Sequence, residues 1–340
     1  MRGHLRLRNQ AGVYLANATS VSARAVSGRG QDLVRVSPTR SGFVSLIGRP
    51  NAGKSTLLNQ VVGAKLAIVS KQPQTTRNRI LGVKNVVGIT SGQIVFLDTP
   101  GIHRPLHRMN VRMVDLAIET IEQVDVVVIV VDVTANEGAG DRYVLGLLDQ
   151  ASRPVVLALN KIDLIAKNRL LPIIDRYRSV RNFAAIVPIS ALTGDGTDAL
   201  EAELLVRLPV GEPLYPEDYL TDQPERVVVA ETVREKLLQH THAELPFSTA
   251  VVVDQFKEPE AGTKEIIKLY CSIIVDRESQ KPIVIGRRGS LIKKIGTEAR
   301  QELERFFGTK VYLDLHVRVR VGWRENERIL DELGVMRQRK

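Results

Sequence analysis

A phosphate-binding pattern stands near the start of the sequence. Residues 48–55 read Gly-Arg-Pro-Asn-Ala-Gly-Lys-Ser and fit G-x-x-x-x-G-K-[ST]; an apolar, strand-like run (42–47) precedes them and a helix-like stretch (55–62) follows. The glycines let backbone N–H groups close around phosphate oxygens, and the helix N-terminus adds its partial positive charge. We expect Lys54 to reach the β- and γ-phosphates of a nucleotide and the Ser55 hydroxyl to ligate Mg²⁺.

A second motif supplies a carboxylate for the same ion. The strand-like run 93–97 ends in Asp98-Thr99-Pro100-Gly101. An aspartate at the carboxyl end of a strand beside the phosphate loop is placed to hold Mg²⁺ through water, and the Gly101 N–H can sense a γ-phosphate.

A third motif predicts which base is bound. The strand-like run 154–159 leads into Asn160-Lys161-Ile162-Asp163. The Asp163 carboxylate can accept hydrogen bonds from guanine N1–H and the N2 amino group, whereas adenine would leave it unpaired at a large cost in affinity. We expect Asn160 to tie this loop to the phosphate loop and the Lys161 stem to cover the base. Ser190-Ala191-Leu192 follows the strand-like run 185–189 and can offer a backbone N–H to guanine O6.

A group of glycines and cations further along suits a nucleic-acid backbone. Gly286-Arg287-Arg288-Gly289 precedes a helix-like stretch that carries Lys293 and Lys294, and a strand with one buried face is predicted at 311–321. The glycines allow close approach of a phosphate chain, and the cations supply charge. Residues 281–324 hold 11 basic and 4 acidic side chains, so this region is expected to meet a polyanion.

The elements that position these residues form two units. In the first, strands alternate with helical stretches at 111–123, 141–150, 167–180 and 197–208, which predicts an α/β fold with a mostly parallel sheet and helices on both faces. In the second, the order is a helix (226–242), strands at 248–257 and 263–276, the glycine loop, a helix and a strand. We divide the chain into a basic N-terminal extension (1–40), a first domain (41–208), a linker (209–225), a second domain (226–334) and a tail (335–340).

Composition excludes several classes of protein. The 340 residues carry a net charge of +10, and the apolar runs are too short for a membrane span. A single cysteine, Cys271, excludes a disulfide within the chain and a cysteine-based zinc site. Residues 1–40 hold seven Arg and one Asp. A mitochondrial transit peptide, a disordered tail and a start codon assigned too early all fit that extension.

The ordered motifs of the first domain look like the G1, G3, G4 and G5 motifs of a translation-factor-type GTPase, and the second domain looks like a type II KH domain. This architecture resembles the Era family of ribosome-assembly GTPases. Three further segments resemble that family: Pro216-Glu217-Asp218-Tyr219, Ala243-Glu244-Leu245-Pro246-Phe247 and Val321-Gly322-Trp323. The resemblance covers residues 41–334. The predicted fold class is therefore a P-loop GTPase domain followed by an α+β type II KH domain.

The resemblance carries further expectations. It implies Mg²⁺-dependent hydrolysis of GTP to GDP, binding to the 3′ end of small-subunit (16S-type) rRNA, and assistance to 30S assembly, with no DNA partner. It implies a cytoplasmic protein with some peripheral contact at the inner membrane, or an organelle-matrix protein if residues 1–40 are a transit peptide. RNA binding is expected to follow the GTP state. The competing hypotheses are an RNA chaperone with a vestigial nucleotide site and a GTPase of tRNA modification.

Residues 70–77 correspond to the first switch of such GTPases. The resemblance makes Thr76, or alternatively Thr75, the Mg²⁺-ligating threonine. Ile102 stands where Ras-like proteins have a water-orienting glutamine, which predicts slow intrinsic hydrolysis. Families with this asparagine and a hydrophobic residue in place of the glutamine include members that bind K⁺ there in place of an arginine finger, so Asn51 is expected to help hold K⁺.

The predicted residues fall into four groups. The GTP-binding group is Gly48, Arg49, Pro50, Asn51, Ala52, Gly53, Lys54, Ser55, Thr56, Asp98, Thr99, Pro100, Gly101, Asn160, Lys161, Asp163, Ser190, Ala191 and Leu192. The catalytic group is Lys54, Thr76, Gly101 and Asn51, and the Mg²⁺ ligands are Ser55, Thr76 and Asp98. The RNA-binding group is Gly286, Arg287, Arg288, Gly289, Lys293 and Lys294.

Overall fold

The structure is a computed structural model. The residues that it describes are 39–70, 72, 75–88, 91–102, 107–135, 139–148, 152–241, 245–259 and 266–333. Nearly all of the predicted N-terminal extension and the whole predicted tail lie outside these ranges.

The first unit is a six-stranded sheet with helices on both faces. Its elements are β1 (Arg40–Ile47), α1 (Lys54–Val62), β2 (Ile80–Val86), β3 (Gly92–Asp98), α2 (Arg108–Glu122), β4 (Val126–Asp132), α3 (Ala139–Leu147), β5 (Val155–Asn160), α4 (Leu170–Val180), β6 (Ala185–Pro188) and α5 (Thr197–Leu205). The strand order is β2-β3-β1-β4-β5-β6, and every neighbouring pair is parallel except β2 with β3. The predicted α/β fold with a mostly parallel sheet is confirmed.

Both faces of this sheet are buried, which explains its sequence. β4 reads Val-Val-Val-Ile-Val-Val-Asp, and its six apolar residues divide between two core clusters, one on each face. A parallel strand covered by helices on both sides needs a continuous apolar run of this kind. The polar residue that ends such a strand, such as Asp98 after β3, reaches the carboxyl edge of the sheet, where α/β proteins bind ligands.

Most predicted boundaries lie close to those observed. The helix predicted at 111–123 begins three residues earlier, at Arg108, and the one predicted at 167–180 begins as an α-helix only at Leu170, after a 3-10 turn at Lys167–Arg169. The antiparallel strand β2 was not predicted from the sequence.

The second unit is a three-stranded sheet with its main core on one face and a smaller apolar cluster, which includes Trp323 and Leu330, on the other. Its elements are α6 (Glu225–His240), α7 (Leu245–Ser248), β7 (Thr249–Lys257), β8 (Ile266–Val275), α8 (Lys281–Ile285), α9 (Ser290–Phe307), β9 (Lys310–Val319) and α10 (Glu327–Glu332). β7 pairs antiparallel with β8, and β8 pairs parallel with β9. The predicted order of helix, two strands, glycine loop, helix and strand is present. The strand predicted at 311–321 stops at Val319, so Val321 is not a core residue; it is 81% exposed.

The predicted linker, residues 209–225, is bound along the edge of the first sheet. Leu220 O accepts a hydrogen bond from the Val83 N–H of β2 at 2.9 Å, and the Gln93 side chain bonds the backbone of Tyr215. The rings of Tyr215 and Tyr219 stack with their centroids 4.8 Å apart. The segment therefore fixes the second unit to the strands that lie between the first switch and the Asp98 motif.

No helix among the described residues is both long enough and apolar enough to cross a membrane.

Candidate nucleotide site and RNA-binding loop

The predicted phosphate loop, the first switch and Lys161 of the base loop line one cavity of about 740 Å³, whereas Asp163 and residues 190–192 are not among its lining residues. Most of its wall comes from the phosphate loop and the residues of the first switch. The lining residues are Pro50, Asn51, Gly53, Lys54, Ser55, Thr56, Ile68, Val69, Ser70, Gln72, Thr75, Thr76, Gly101, Lys161, Leu238 and Gln239. The last two belong to α6, so the second unit contributes to the wall of the site on the first.

Lys54 begins α1 and lies buried beneath the phosphate loop. Its Nζ donates to the carbonyl oxygens of Gly48 and Arg49, at 3.2 and 3.1 Å. Burial lowers the pKa of Lys54 to about 8, against the opposing effect of the nearby Asp98 carboxylate. A polyphosphate would supply the negative charge that this buried ammonium lacks in the protein alone.

Three oxygen atoms converge where the Mg²⁺ ligands were predicted. Ser55 Oγ lies 2.7 Å from Thr76 Oγ1 and donates to Asp98 Oδ2 at 2.7 Å, and Thr76 Oγ1 donates to the same oxygen at 3.2 Å. Asp98 Oδ1 is buried and has no hydrogen-bond partner among the described residues. Burial also raises the pKa of Asp98, an effect that a neighbouring cation would oppose. Two hydroxyls and a carboxylate with one unpaired oxygen are suitable ligands for a hard cation such as Mg²⁺.

The geometry separates Thr76 from the alternative, Thr75. Thr75 Oγ1 donates to Gln72 O at 2.8 Å within the switch, whereas the Thr76 hydroxyl lies at the cluster with Ser55 and Asp98. Only Thr76 is therefore placed to serve this cluster.

The base loop is held by Asn160. Its Nδ2 donates to Ala52 O of the phosphate loop at 2.8 Å, and its Oδ1 accepts from the Ala191 N–H at 2.9 Å, so one amide joins three loops. Lys161 follows with a left-handed backbone (φ 69°), and its Nζ bonds Asp132 at 2.5 Å. Asp163 lies in a 3-10 turn, Ile162–Leu164, with its side chain exposed.

The region of the γ-phosphate is shaped by close packing. A Cβ on Gly101 would lie 2.8 Å from Cα and N of Pro50, so these two loops meet at a distance that only glycine permits. Ile102 is fully buried in the core, which removes it from the cavity altogether. Arg49 does not point to the cavity as an arginine finger, because its Nη1 bonds Asp141 of α3 at 2.8 Å.

The predicted RNA-binding loop projects from the second unit. Gly286 takes φ 75° and ψ 172°, and a Cβ there would lie 2.7 Å from Cβ of Leu291. Arg288 has φ 52°, and Gly289 precedes α9 with φ 75°. The side chains of Arg287, Arg288, Lys293 and Lys294 are exposed. None of the four forms a salt bridge within the described part of the chain. The loop therefore offers uncompensated positive charge at a helix N-terminus.

The sequence did not reveal the contacts between the two units. Arg77, at the end of the first switch, donates to Thr249 O at 2.9 Å and lies over the Trp323 ring, 5.5 Å from its centroid. Arg234 and Glu235 of α6 contact the first switch and the residues before it. The sequence of α6 gives no local sign of these contacts, because its charged residues 234–236 would ordinarily face solvent, and the structure shows that they are buried.

A P-loop nucleotide site with a guanine-type base loop, carried on this sheet and joined to a glycine-loop domain, defines a GTPase with an RNA-binding KH domain. The sequence model of the family described as "50S ribosome-binding GTPase" matches residues 43–161, and that of the KH domain matches residues 244–324.

Relatives extend this result over most of the chain. The chain is 50% identical to GTPase Era of Geotalea uraniireducens over 295 residues, which is 87% of this chain and 97% of the relative. A single-residue variant of Era from Aquifex aeolicus, bound to GDP·AlF₄⁻, superimposes with a TM-score of 0.83 and 40% identity, covering 88% of this chain and all of that one. A structure of Era in complex with MgGDPNP and nucleotides 1506–1542 of 16S ribosomal RNA gives a TM-score of 0.84 and 41% identity over the same shares.

This chain belongs to the Era family of GTPases, and the predicted family is confirmed. Its enzymatic activity is GTP hydrolysis, as predicted.

Proposed function

We propose that this protein is a GTPase whose nucleotide state controls binding to the 3′ end of small-subunit rRNA, and that it assists 30S assembly. The proposal divides the chain into a GTPase domain (41–208), a fastened linker (209–225) and a KH domain (226–334). The observation that carries it is the presence in one chain of the Ser55–Thr76–Asp98 cluster and the exposed Gly286–Gly289 loop. The 41% identity to an Era solved with GDPNP and 16S rRNA supports the same assignment.

The nucleotide site would act mainly by positioning and charge. Lys54 and the loop amides would hold the β- and γ-phosphates, Asp163 would select guanine, and Gly101 would donate its N–H to the γ-phosphate. Ser55, Thr76 and Asp98 would hold Mg²⁺, which when bound neutralises charge on the phosphates. Release of phosphate that is abolished by Lys54→Ala would support this site, and unchanged release would contradict it.

Activation of the attacking water is expected to be slow at this site. Because Ile102 is buried, no side chain at that position orients the attacking water, which supports slow intrinsic hydrolysis. Asn51 lines the cavity with a left-handed backbone (φ 64°), and we propose that it helps hold K⁺. Turnover in KCl should exceed turnover in NaCl at equal ionic strength; equal rates would count against a potassium site.

RNA binding would use the second domain. The Gly286–Gly289 loop lets a single strand approach the backbone, and the exposed arginines and lysines supply phosphate contacts. Affinity for an oligonucleotide of the 3′-terminal 16S sequence should be higher with a GTP analogue than with GDP. Equal affinities would refute the control by nucleotide state.

The cellular location is inferred only from what is expected of the family. We infer a cytoplasmic protein that makes peripheral contact with the inner membrane, and fractionation of cells into soluble and membrane-bound protein tests this directly.

A further inference from the structure

The KH domain forms hydrogen bonds with the first switch on both sides of Thr76. On the preceding residue, Thr75 O accepts a hydrogen bond from Arg234 Nη2 of α6. On the following residue, Arg77 Nη1 donates to Thr249 O at the start of β7, at 2.9 Å. The residue predicted to serve the metal cluster is therefore flanked by two contacts that cross from one domain to the other.

The chain just before the first switch is held by the next residue of the same helix. Glu235 accepts from the Val69 N–H at 3.0 Å and from Lys65 Nζ at 2.6 Å. The Glu235 side chain is 3% exposed. Two consecutive residues of α6 therefore bind the chain around the first switch. Glu235 binds Val69, just before the switch, and Arg234 binds Thr75 within it.

The contacts between the first switch and the KH domain bury two positively charged side chains. Arg77 is 6% exposed and Arg234 is 2% exposed, and each has one nitrogen with no hydrogen-bond partner among the described residues. Burial, together with the positive charge of Arg234, lowers the pKa of Arg77 to about 9. Glu231 offsets part of this charge, because its carboxylate accepts from Arg234 Nε at 2.9 Å and from Nη2 at 2.5 Å, and a buried guanidinium is tolerated where such bonds hold it in place. Thr76, which lies between the two contacts, is the first switch's link to the nucleotide site.

We propose that Arg234 and Arg77 are positioning residues of the nucleotide site, through which the KH domain holds the first switch with Thr76 at Ser55 and Asp98. The proposal rests on the proposed role of Thr76. It gives the KH domain a function in GTP binding in addition to its function in RNA binding. Because coupling between two sites is reciprocal, the same contacts report the nucleotide state to the KH domain.

The chain carries its own reporter of this contact. Trp323, the one tryptophan of the sequence, is fully buried and donates from Nε1 to Ser248 O at 3.0 Å. Its ring meets Arg77 on one side, and its cluster includes Met109 and Met113 of α2. Trp323 therefore contacts Arg77, at the end of the first switch, and α2, which follows the Asp98–Gly101 motif.

The test compares Arg234→Met with Arg226→Met. Arg226 is an exposed residue of the same helix and donates to Val253 O at 3.1 Å, so Arg226→Met controls for loss of an α6 arginine whose hydrogen bond stays within the KH domain. We expect Arg234→Met to lower affinity for GDPNP with Mg²⁺ about tenfold, the lower end for a lost charged hydrogen bond, and to leave GDP affinity within about twofold. Arg226→Met should change neither. Retained GDP affinity also shows that the variant is folded.

Two outcomes would overturn the proposal: equal losses for GDPNP and GDP in Arg234→Met, or no loss for either. Thr76→Ala separates this failure from failure of the proposed site. If Thr76→Ala lowers GDPNP affinity and Arg234→Met does not, only the role of the KH contact is wrong. If Thr76→Ala is also neutral, the proposed metal site is wrong too.

Tryptophan emission gives a second readout that a purely structural role would not change. The unmodified protein should give different emission spectra with GDP and GDPNP, and Arg77→Met should reduce the difference, leaving only the part that comes from the contact with α2. Identical spectra for both nucleotides in the unmodified protein would contradict a contact that responds to the first switch.

Discussion

Ser55 Oγ and Thr76 Oγ1 lie 2.7 Å apart, and both hydroxyls donate to the same oxygen of Asp98. One hydroxyl begins α1, directly after the phosphate loop, and the other lies in the first switch. The switch is therefore already placed against the phosphate loop, and Thr76 makes the contact with Ser55 and Asp98.

Thr76→Ala should reduce Mg²⁺-dependent GTP hydrolysis about tenfold or more, because it removes one of the three converging oxygens. Thr75→Ala is the matched control, since its hydroxyl donates within the switch, to Gln72 O. Phosphate release measured against Mg²⁺ concentration checks this. A larger loss in Thr75→Ala than in Thr76→Ala would reverse the assignment.

Asp163→Asn should change the preferred base from guanine to xanthine. The asparagine oxygen can still accept from N1–H, but its NH₂ group meets a second donor in guanine and an acceptor, O2, in xanthine. GTP affinity should fall by about three orders of magnitude or more, as expected when a polar site group is left unpaired. Competition among GTP, XTP and ATP measures it. Asp195→Asn, an exposed carboxylate in the next loop, should bind GTP normally.

Arg287→Ala with Arg288→Ala should weaken binding to 3′-terminal rRNA and leave GTP hydrolysis unchanged. Two lost phosphate contacts should reduce the slope of log affinity against log salt by about 1.4 for a single strand. The matched control is Arg176→Ala with Arg178→Ala, an exposed arginine pair on α4 of the GTPase domain that removes the same charge. An unchanged salt slope in the first variant would exclude this loop from the RNA contact.

Cys271 should resist thiol reagents in the native protein at pH 8. It is fully buried in β8, and burial raises its pKa to about 12, so the thiol stays protonated well above neutral pH. The unfolded chain ionises near the ordinary thiol pKa, so this residue contributes stability below that pH and loses it as pH rises toward 12. Labelling with a disulfide reagent, with and without urea, measures the difference; rapid native labelling would contradict the burial.

The sequence predicted best where chemistry fixes both residue type and spacing. Lys54, Asp98 and Asp163 were found because a phosphate loop, a metal carboxylate and a guanine acceptor each follow a buried strand. Strand β2 was missed because its sequence, Ile-Leu-Gly-Val-Lys-Asn-Val, has neither strict alternation nor a continuous apolar run.

The contacts between domains could not be predicted. Arg234 and Thr75 are 159 residues apart in sequence, and nothing local shows that a charged residue in α6 is buried against another domain. Charged side chains are usually exposed, so residues 234–236 would ordinarily be assigned to the solvent face of a helix. Arg77 follows a polar segment, and nothing local there shows that its side chain is buried.

The segment that follows α5 has a consequence for any shortened form of this protein. β2 is the outermost strand of its sheet, and Leu220 O takes up the Val83 N–H that would otherwise face solvent. A GTPase domain cut at residue 208 would present an open strand edge, which invites self-association and precipitation. A GTPase domain cut after residue 223 would keep Leu220 bound to the edge of β2. In that form the hydrolysis rate of the isolated GTPase domain could be compared with that of the whole chain.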